Sequence, residues 1–586
     1  MGLPWAFASP VGSSADEDFH LTSTWCAWGD HQSCVSTDTE TVVRVPQKVA
    51  QASCFALENG LNARCTWLLT DDLVESSRIN PTTGGYPPVF HAAMRTFVGP
   101  DVARSVLIMR MVNVLIAASL LGLALAITPV VIRRAVAVLW MVSLIPVGAF
   151  FIPSANPSSW VITGVGLFWA FLWSAIRLPS AARNQRVAAI AGSLISAALA
   201  LGARGDAIFP LGLSVGAVVF MEFRRIKARL SPLWIGLSLG ALVVLAGIFA
   251  WTYNIGRYLS QYSLSFPPGN AETDQPNPVV KTLLEFPAFV AGIFGGQQPW
   301  TQRESVNDWG AAGYSWHGFT YGVGAVDVIN PSIAAVLAGA AVAAVVFVGI
   351  GRSPRRKLVA LALLGLAFIG QVLIMRALVG FGAFWSGGVQ WSLQPRYFLP
   401  LAMVIVAVAV VSLPASQAFL TRAQAALLAI ALSIAAVTSL MATMARYVHG
   451  QDRSWLQFVP ENGWWWSWGP SPTAFIVLGG IASTVYMVTL AYASRETLTR
   501  GPARTPAGKH ARELSVTTWL LSVAVLVFPV HHAASHLQGS AAQSWQALLS
   551  HGVPQGNRWC YRQQCLKGLR HQTPPQVPRT TAPPWL

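Results

Sequence analysis

The stretch "SSADEDFH" at residues 13–20 sets three carboxylates side by side, Asp16, Glu17 and Asp18, with His20 two positions on. Carboxylates and imidazole are side chains that take and return protons. His20 stands at i+4 from Asp16, so on a helix the two share a face. A structural explanation competes. Ser14 and Glu17 make an S-x-x-E capping box, and acids in a first turn suit the helix dipole. That accounts well for Glu17 and less well for the two aspartates flanking it. Other charges stand alone in apolar surroundings. Arg110 lies about two turns inside a long apolar run, with Asn113 at i+3; an ionisable group there is a functional candidate or half of a buried structural pair. Arg204 and Asp206 in "ARGDA" read first as a turn salt bridge and second as another acid–base pair. Arg396 in "LQPRYFLPL" opens an apolar run, where snorkelling to headgroups explains it as well as a binding role does. His91 in "YPPVFH" reads first as a packed or exposed histidine and second as part of a loop layer.

The elements that must position these groups are membrane helices. Of 586 residues 53% are hydrophobic and 11% charged, and the mean hydropathy is +0.49. Soluble domains carry about 25% charged residues, so the composition reads as an all-α polytopic membrane protein. Apolar runs of helical length predict spans near 104–128, 135–152, 158–176, 187–202, 207–222, 231–251, 331–350, 358–378, 396–413, 424–445, 472–491 and 515–530. Residues 1–12 read as an incomplete first helix, which with the rest makes about 12–13 transmembrane helices. Basic residues crowd alternate connections, among them 133–134, 177–186, 224–229, 352–357 and 495–512, which the positive-inside rule assigns to the cytoplasm. Much of the net charge of +16 is then topology and no nucleic-acid footprint. The same parity puts residues 13–103, 252–330 and 531–586 outside, the C-terminus included.

All six cysteines fall in those outer regions: Cys26, Cys34, Cys54 and Cys65 in the first, Cys560 and Cys565 in the last. Their spacings match no common zinc pattern, so they read as disulfides, with three pairings open to the first four. The 252–330 loop holds "PVVKTLLEFPAFVAGIFGG", a re-entrant helix broken at Pro287, and the Pro- and Thr-rich end of the tail reads as disordered. "GWWWSWGP" at 463–470 fits an interfacial aromatic belt better than a sugar-stacking platform. "HHAASH", with His531, His532 and His536, is a weak metal signal. No P-loop, G-x-G-x-x-G after a strand, or G-x-S-x-G occurs.

Taken in order, "SPVGSSADEDFH", "YPPVFH", "IPSANPSSW" and "LQPRYFLPL" resemble a bacterial membrane-protein family labelled domain of unknown function 2142, over roughly residues 1–450. That family is grouped with the GT-C membrane glycosyltransferases, and "DEDFH" looks like the acidic motif of their protein O-mannosyltransferase branch. Pro395, where the family pattern has Gly, and the incomplete first helix depart from it. The resemblance implies a GT-C-like bundle with two long extracytoplasmic loops in the plasma (inner) membrane. It implies transfer of a sugar from a polyprenyl-phosphate donor to a cell-envelope glycan or protein acceptor, with membrane lipid as surroundings and no nucleic-acid partner. Carried onto this chain, Asp16 is the general base, and Glu17 orients it or helps bind a divalent cation, Mg or Mn, the one cofactor considered. Asp18 and His20 support them. Arg396, then Arg110, binds the donor phosphate, and Arg204, Asp206 and His91 are secondary candidates. Two other readings stay open: a transporter or flippase of lipid-linked glycans, for which no repeat is apparent, and a non-catalytic envelope-assembly protein.

Overall fold

The computed structural model describes residues 1–39, 42–56, 61–80, 86–144, 146–229, 330–386, 395–411, 419–450, 464–466 and 470–495, with short pieces at 304–306, 312–314, 323–324 and 328. The expected span at 231–251, the re-entrant helix, the span at 515–530, the tail with Cys560 and Cys565, and the "HHAASH" cluster lie outside the described residues.

Eight helices among the described residues are long and apolar enough to cross a membrane. They lie in α5 (Val102–Ile127), α8 (Ser158–Arg177), α9 (Arg183–Ala203), α10 (Ile208–Arg229), α11 (Ser332–Gly351), α12 (Arg355–Ser386), α14 (Arg422–His449) and α15 (Pro472–Ala493). Their outer faces show Ile190 and Leu194 of α9, Val336 and Phe347 of α11, and Val477, Ile481 and Val485 of α15, all exposed. Such stripes are stable only against lipid.

The interior is built from shorter helices. The span expected at 135–152 is two pieces, α6 (Val130–Ser143) and α7 (Pro146–Phe151). Pro146 lacks the amide hydrogen that would carry the helix on, and proline disfavours helical backbone at the residue before it. Neither piece has the roughly 20 residues a crossing needs. α6 is buried from Ala135 to Ser143 on every side, as is most of the 12-residue α13 (Leu399–Val410). A helix apolar all round belongs inside a bundle. α8 packs beside both and close against α9: a Cβ on Gly164 would stand 2.4 Å from the Ser196 carbonyl oxygen.

Chain direction gives the bundle two chemically different ends. The basic end carries Arg177 and Arg225, both paired with Glu222 (2.5 and 3.6 Å), and Arg352, which donates to Phe419 O at 2.9 Å. At the other end the starts of α5, α8 and α13 and the end of α9 meet residues 1–101. This segment holds α1 (Gly2–Phe7), α2 (Glu17–Trp25), α3 (Gln47–Ala50) and α4 (Pro88–Arg95). Beside α3 is an antiparallel sheet of β1 (Val35–Ser36), β2 (Val43–Pro46) and β3 (Leu73–Ser76), with Arg44 opposite Glu75. Disulfides join Cys26 to Cys34 and Cys54 to Cys65, with Cα–Cα separations of 5.5 and 6.2 Å. Two short strands, β4 (Glu304–Val306) and β5 (Ala312–Tyr314), form a separate antiparallel pair.

Candidate functional site

Residues 13–18 are held from several directions. Asn156, in the loop between α7 and α8, donates to Ala15 O at 2.9 Å, and Arg396 donates to the same carbonyl at 3.1 Å. The Tyr447 hydroxyl of α14 donates to Ser13 O at 2.9 Å. The turn so pinned places Asp16 at φ +60°, a left-handed conformation that no other non-glycine residue adopts among the described residues. That backbone costs most L-residues about 1–2 kcal/mol, and Asp and Asn tolerate it best. Such positions persist where the surrounding fold over-determines them.

The Asp16 carboxylate bridges two arginines, Oδ2 lying 2.9 Å from Arg396 Nη2 and Oδ1 3.2 Å from Arg78 Nη2. Arg78 in turn grips Asp18 with both faces of its fork, at 2.5 and 3.1 Å. The Arg396 side chain is 1% exposed and that of Asp16 41%, so a buried cation faces an acid that opens outward. Burial pushes the Asp16 pKa up, but Arg396 and then Arg78 outweigh it and hold the group below its usual value. Arg396 also reaches the Tyr397 hydroxyl at 3.2 Å, and its buried Nε has no partner.

Behind Arg396 is a narrow cavity lined by Ser158, Arg204, Asp206, Gln371, Arg396 and Tyr397, with Val161, Ala207, Pro210 and Pro400 as its apolar walls. Arg204 caps α9, pairs with Asp206 at 2.6 and 2.9 Å, and lies 4.2 Å above the Tyr397 ring. The Gln371 Oε1 oxygen is buried without a partner. The turn salt bridge expected in "ARGDA" is therefore present, and its arginine shares a cavity with Arg396.

His20 and His91 meet on the inner side of the acids. Their nitrogens Nδ1 and Nε2 are 3.3 Å apart, and Tyr86 stands edge-on to His20 at 4.9 Å. Both rings are buried. His20 is held well below its usual pKa, by burial first and then by His91, Arg396, Arg204 and Arg78, and burial alone takes His91 down to about 3. Both are neutral imidazoles that tie α2 to α4. A group with a depressed folded pKa stabilises fully above its unfolded value, and that contribution falls away as pH drops toward the folded value. The melting temperature of the purified protein is expected to fall as pH drops from about 6.5 to 4.5, with each neutral histidine contributing up to about 1.4 kcal/mol per pH unit. His91→Gln should flatten that slope; an unchanged slope would remove the pair as its source.

Two candidates stand elsewhere. Glu17, expected beside the base, is 0% exposed and turned inward; its Oε1 lies 2.9 Å from Arg110 Nη2, and its Oε2 accepts the Ser14 amide at 2.8 Å. Arg110, expected at the phosphate, is filled by this pairing and by the carbonyls of Ala6, Ser9 and Pro10 and the Ser13 hydroxyl. Ala6 is in the last turn of α1 and Ser9 and Pro10 just follow it, where helix carbonyls lack partners and favour a cation. The pair is thus the structural alternative for Arg110, and it fastens residues 1–17 to α5. The capping box is only half formed: α2 starts at Glu17 itself, and the Ser14 hydroxyl is unpartnered.

Among the described residues no three metal-type side chains gather. Glu17, the residue expected to help bind a divalent cation, is paired with Arg110, and the oxygens of Asp16 and Asp18 carry guanidiniums, so these residues do not fit that ion.

Several participants had no sequence signal. Arg78 in "SSRINP" looks like any loop arginine, and its part appears only when the sheet end of the loop folds back over Asp16. Tyr397 and Asn156 sat inside motifs already singled out, next to the residues that drew attention.

Lipid-facing helices around short interior ones, with an arginine–carboxylate cluster under a disulfide-braced loop, define a multi-pass membrane protein with a polar site at one end of its bundle. The chain belongs to the family described as "Predicted membrane protein (DUF2142)", whose model matches residues 1–405. That match takes in every residue of the cluster, Arg396 included. No curated protein and no solved structure matches the chain.

Proposed function

We propose that this protein is a membrane glycosyltransferase of the cell envelope, moving a sugar from a polyprenyl-phosphate donor to an acceptor hydroxyl on the outer face. The observation that carries the reading is Arg396, shared between the Asp16 carboxylate at 2.9 Å and a cavity that also holds Arg204. The acceptor oxygen attacks the anomeric carbon, Asp16 takes its proton, and the bond from that carbon to the phosphate oxygen breaks. Polyprenyl phosphate leaves with the electron pair, and its charge falls to Arg396 and Arg204, whose planar forks suit phosphate oxygens.

The low pKa of Asp16 fits this scheme. At rest, Arg396 and Arg78 keep it ionised and weakly basic. A donor phosphate draws charge from Arg396, and Asp16 becomes a better base once the donor is in place.

One observation favours a second reading. Both Asp16 oxygens are already satisfied by arginine, as a non-catalytic assembly protein of this family would have them. Reconstitution in liposomes with radiolabelled polyprenyl-phosphate mannose, glucose or arabinose and cell-envelope glycan separates the two. Arg396→Ala is expected to weaken donor binding about 10- to 100-fold, the worth of a charge-assisted hydrogen bond, and to slow transfer as well. Arg396→Lys should recover little, because a point charge does not replace the fork. No label transfer by the unsubstituted protein would leave the assembly reading.

A further inference from the structure

A larger groove of about 420 Å³, open to solvent, has Trp67, Trp465 and Trp466 on its walls and Val11, Lys48 and Asp101 around them. We infer that this groove binds a neutral oligosaccharide, the extended glycan of an acceptor.

Its exposed ring is that of Trp67, beside the buried Trp465 and Trp466, and it is fixed before any ligand arrives. Trp67 is 53% exposed, yet its Nε1 donates to Trp465 O at 3.1 Å and the Arg64 guanidinium lies 5.4 Å from its ring. Trp466 donates to Phe7 O at 2.7 Å. The turn bearing Trp67, Ala63–Leu68, is fastened by the Cys54–Cys65 disulfide, and Arg446 holds the same loop by donating to Phe55 O and Leu61 O, each at 2.8 Å. Rigid indoles with polar groups beside them suit sugar rings, which offer an apolar face and hydroxyl edges.

The two charged side chains that line the groove do not favour an anionic lipid headgroup. Lys48 is already paired with Asp71 at 2.8 Å. The Asp101 carboxylate accepts the backbone amide of Arg104. Neither offers a phosphate a free cation, whereas Asp101 can accept from a hydroxyl.

The acceptor role rests on the transferase reading, but binding is measured without transfer. The full-length protein in nanodiscs of neutral lipid is titrated calorimetrically with short linear oligosaccharides of mannose, arabinose and glucose. Saturable binding by at least one is expected, weakened about tenfold or more by Trp67→Ala and less by Trp67→Phe. Trp67 is exposed, so these variants keep the fold. Asp16→Asn should leave this binding unchanged. If the unsubstituted protein transfers no label while the sugars still bind, the transferase reading fails and the groove stands. No saturable binding, binding indifferent to Trp67→Ala, competition by anionic lipid in place of sugar, or a groove covered by a second copy of the chain would each overturn the inference.

Discussion

Asp16→Asn is expected to cut glycosyl transfer by roughly 10²–10⁴-fold, the usual worth of a positioned general base, with donor binding unchanged or tighter. The substitution is clean at the backbone. Asp16 sits at φ +60°, and Asn is among the few L-residues that tolerate this conformation, whereas Ala would add strain. Asn keeps the size and one acceptor oxygen, so the turn pinned by Asn156, Arg396 and Tyr447 should survive. Proton acceptance is lost, and with it the ion pairs to Arg396 and Arg78. Releasing Arg396 from a carboxylate leaves more of its charge for phosphate, which is why donor affinity should hold or rise while turnover collapses. Arg396→Ala has the opposite signature, with affinity lost first. Measuring the donor Kd and single-turnover rate of both variants separates a base from a scaffold carboxylate. A normal rate in Asp16→Asn would mean that the acidic run only anchors arginines.

Glu17→Gln is expected to destabilise the protein by about 3–5 kcal/mol, as removal of one partner from a fully buried ion pair does. The capping box alone would predict almost no effect, since Gln serves there as well as Glu. The difference is the side-chain exposure of the pair: Glu17 and Arg110 are 0% and 1% exposed, so the Gln variant strands a guanidinium in the bundle. Arg110→Met should cost at least as much, because the carbonyls of Ala6, Ser9 and Pro10 lose their donor. Pairing Arg110→Met with Glu17→Gln removes the charge imbalance and still leaves those carbonyls bare, so rescue should be partial. Thermal unfolding in detergent reads all three. Neutral behaviour of Glu17→Gln would return Glu17 to the capping role.

Residue chemistry and spacing alone determined the helical membrane class, because about 20 apolar residues in a row have few fates besides a bilayer. They also marked the lengths of α5, α8, α9 and α14 to within a few residues, and the gathering of basic residues at one end of the described helices. The order of the motifs pointed to the family. What the run of acids meant was not legible. Asp16, Glu17 and Asp18 are adjacent in sequence and alike in chemistry, yet the left-handed turn at Asp16 sends them to three destinations: the cavity arginine, the buried Arg110 and the loop arginine Arg78. Which arginine meets which acid depends on contacts spanning 60 to 380 positions, and no local pattern encodes such a pairing. The break of the expected 135–152 span into α6 and α7 had a visible cause in Pro146, but hydropathy alone does not register a missing amide donor. Burial settled the remaining assignments. A histidine, a glutamate or an arginine is a reactive group in water and a structural pin when its partners are all protein, and only the tertiary structure decides which side of that line it falls on.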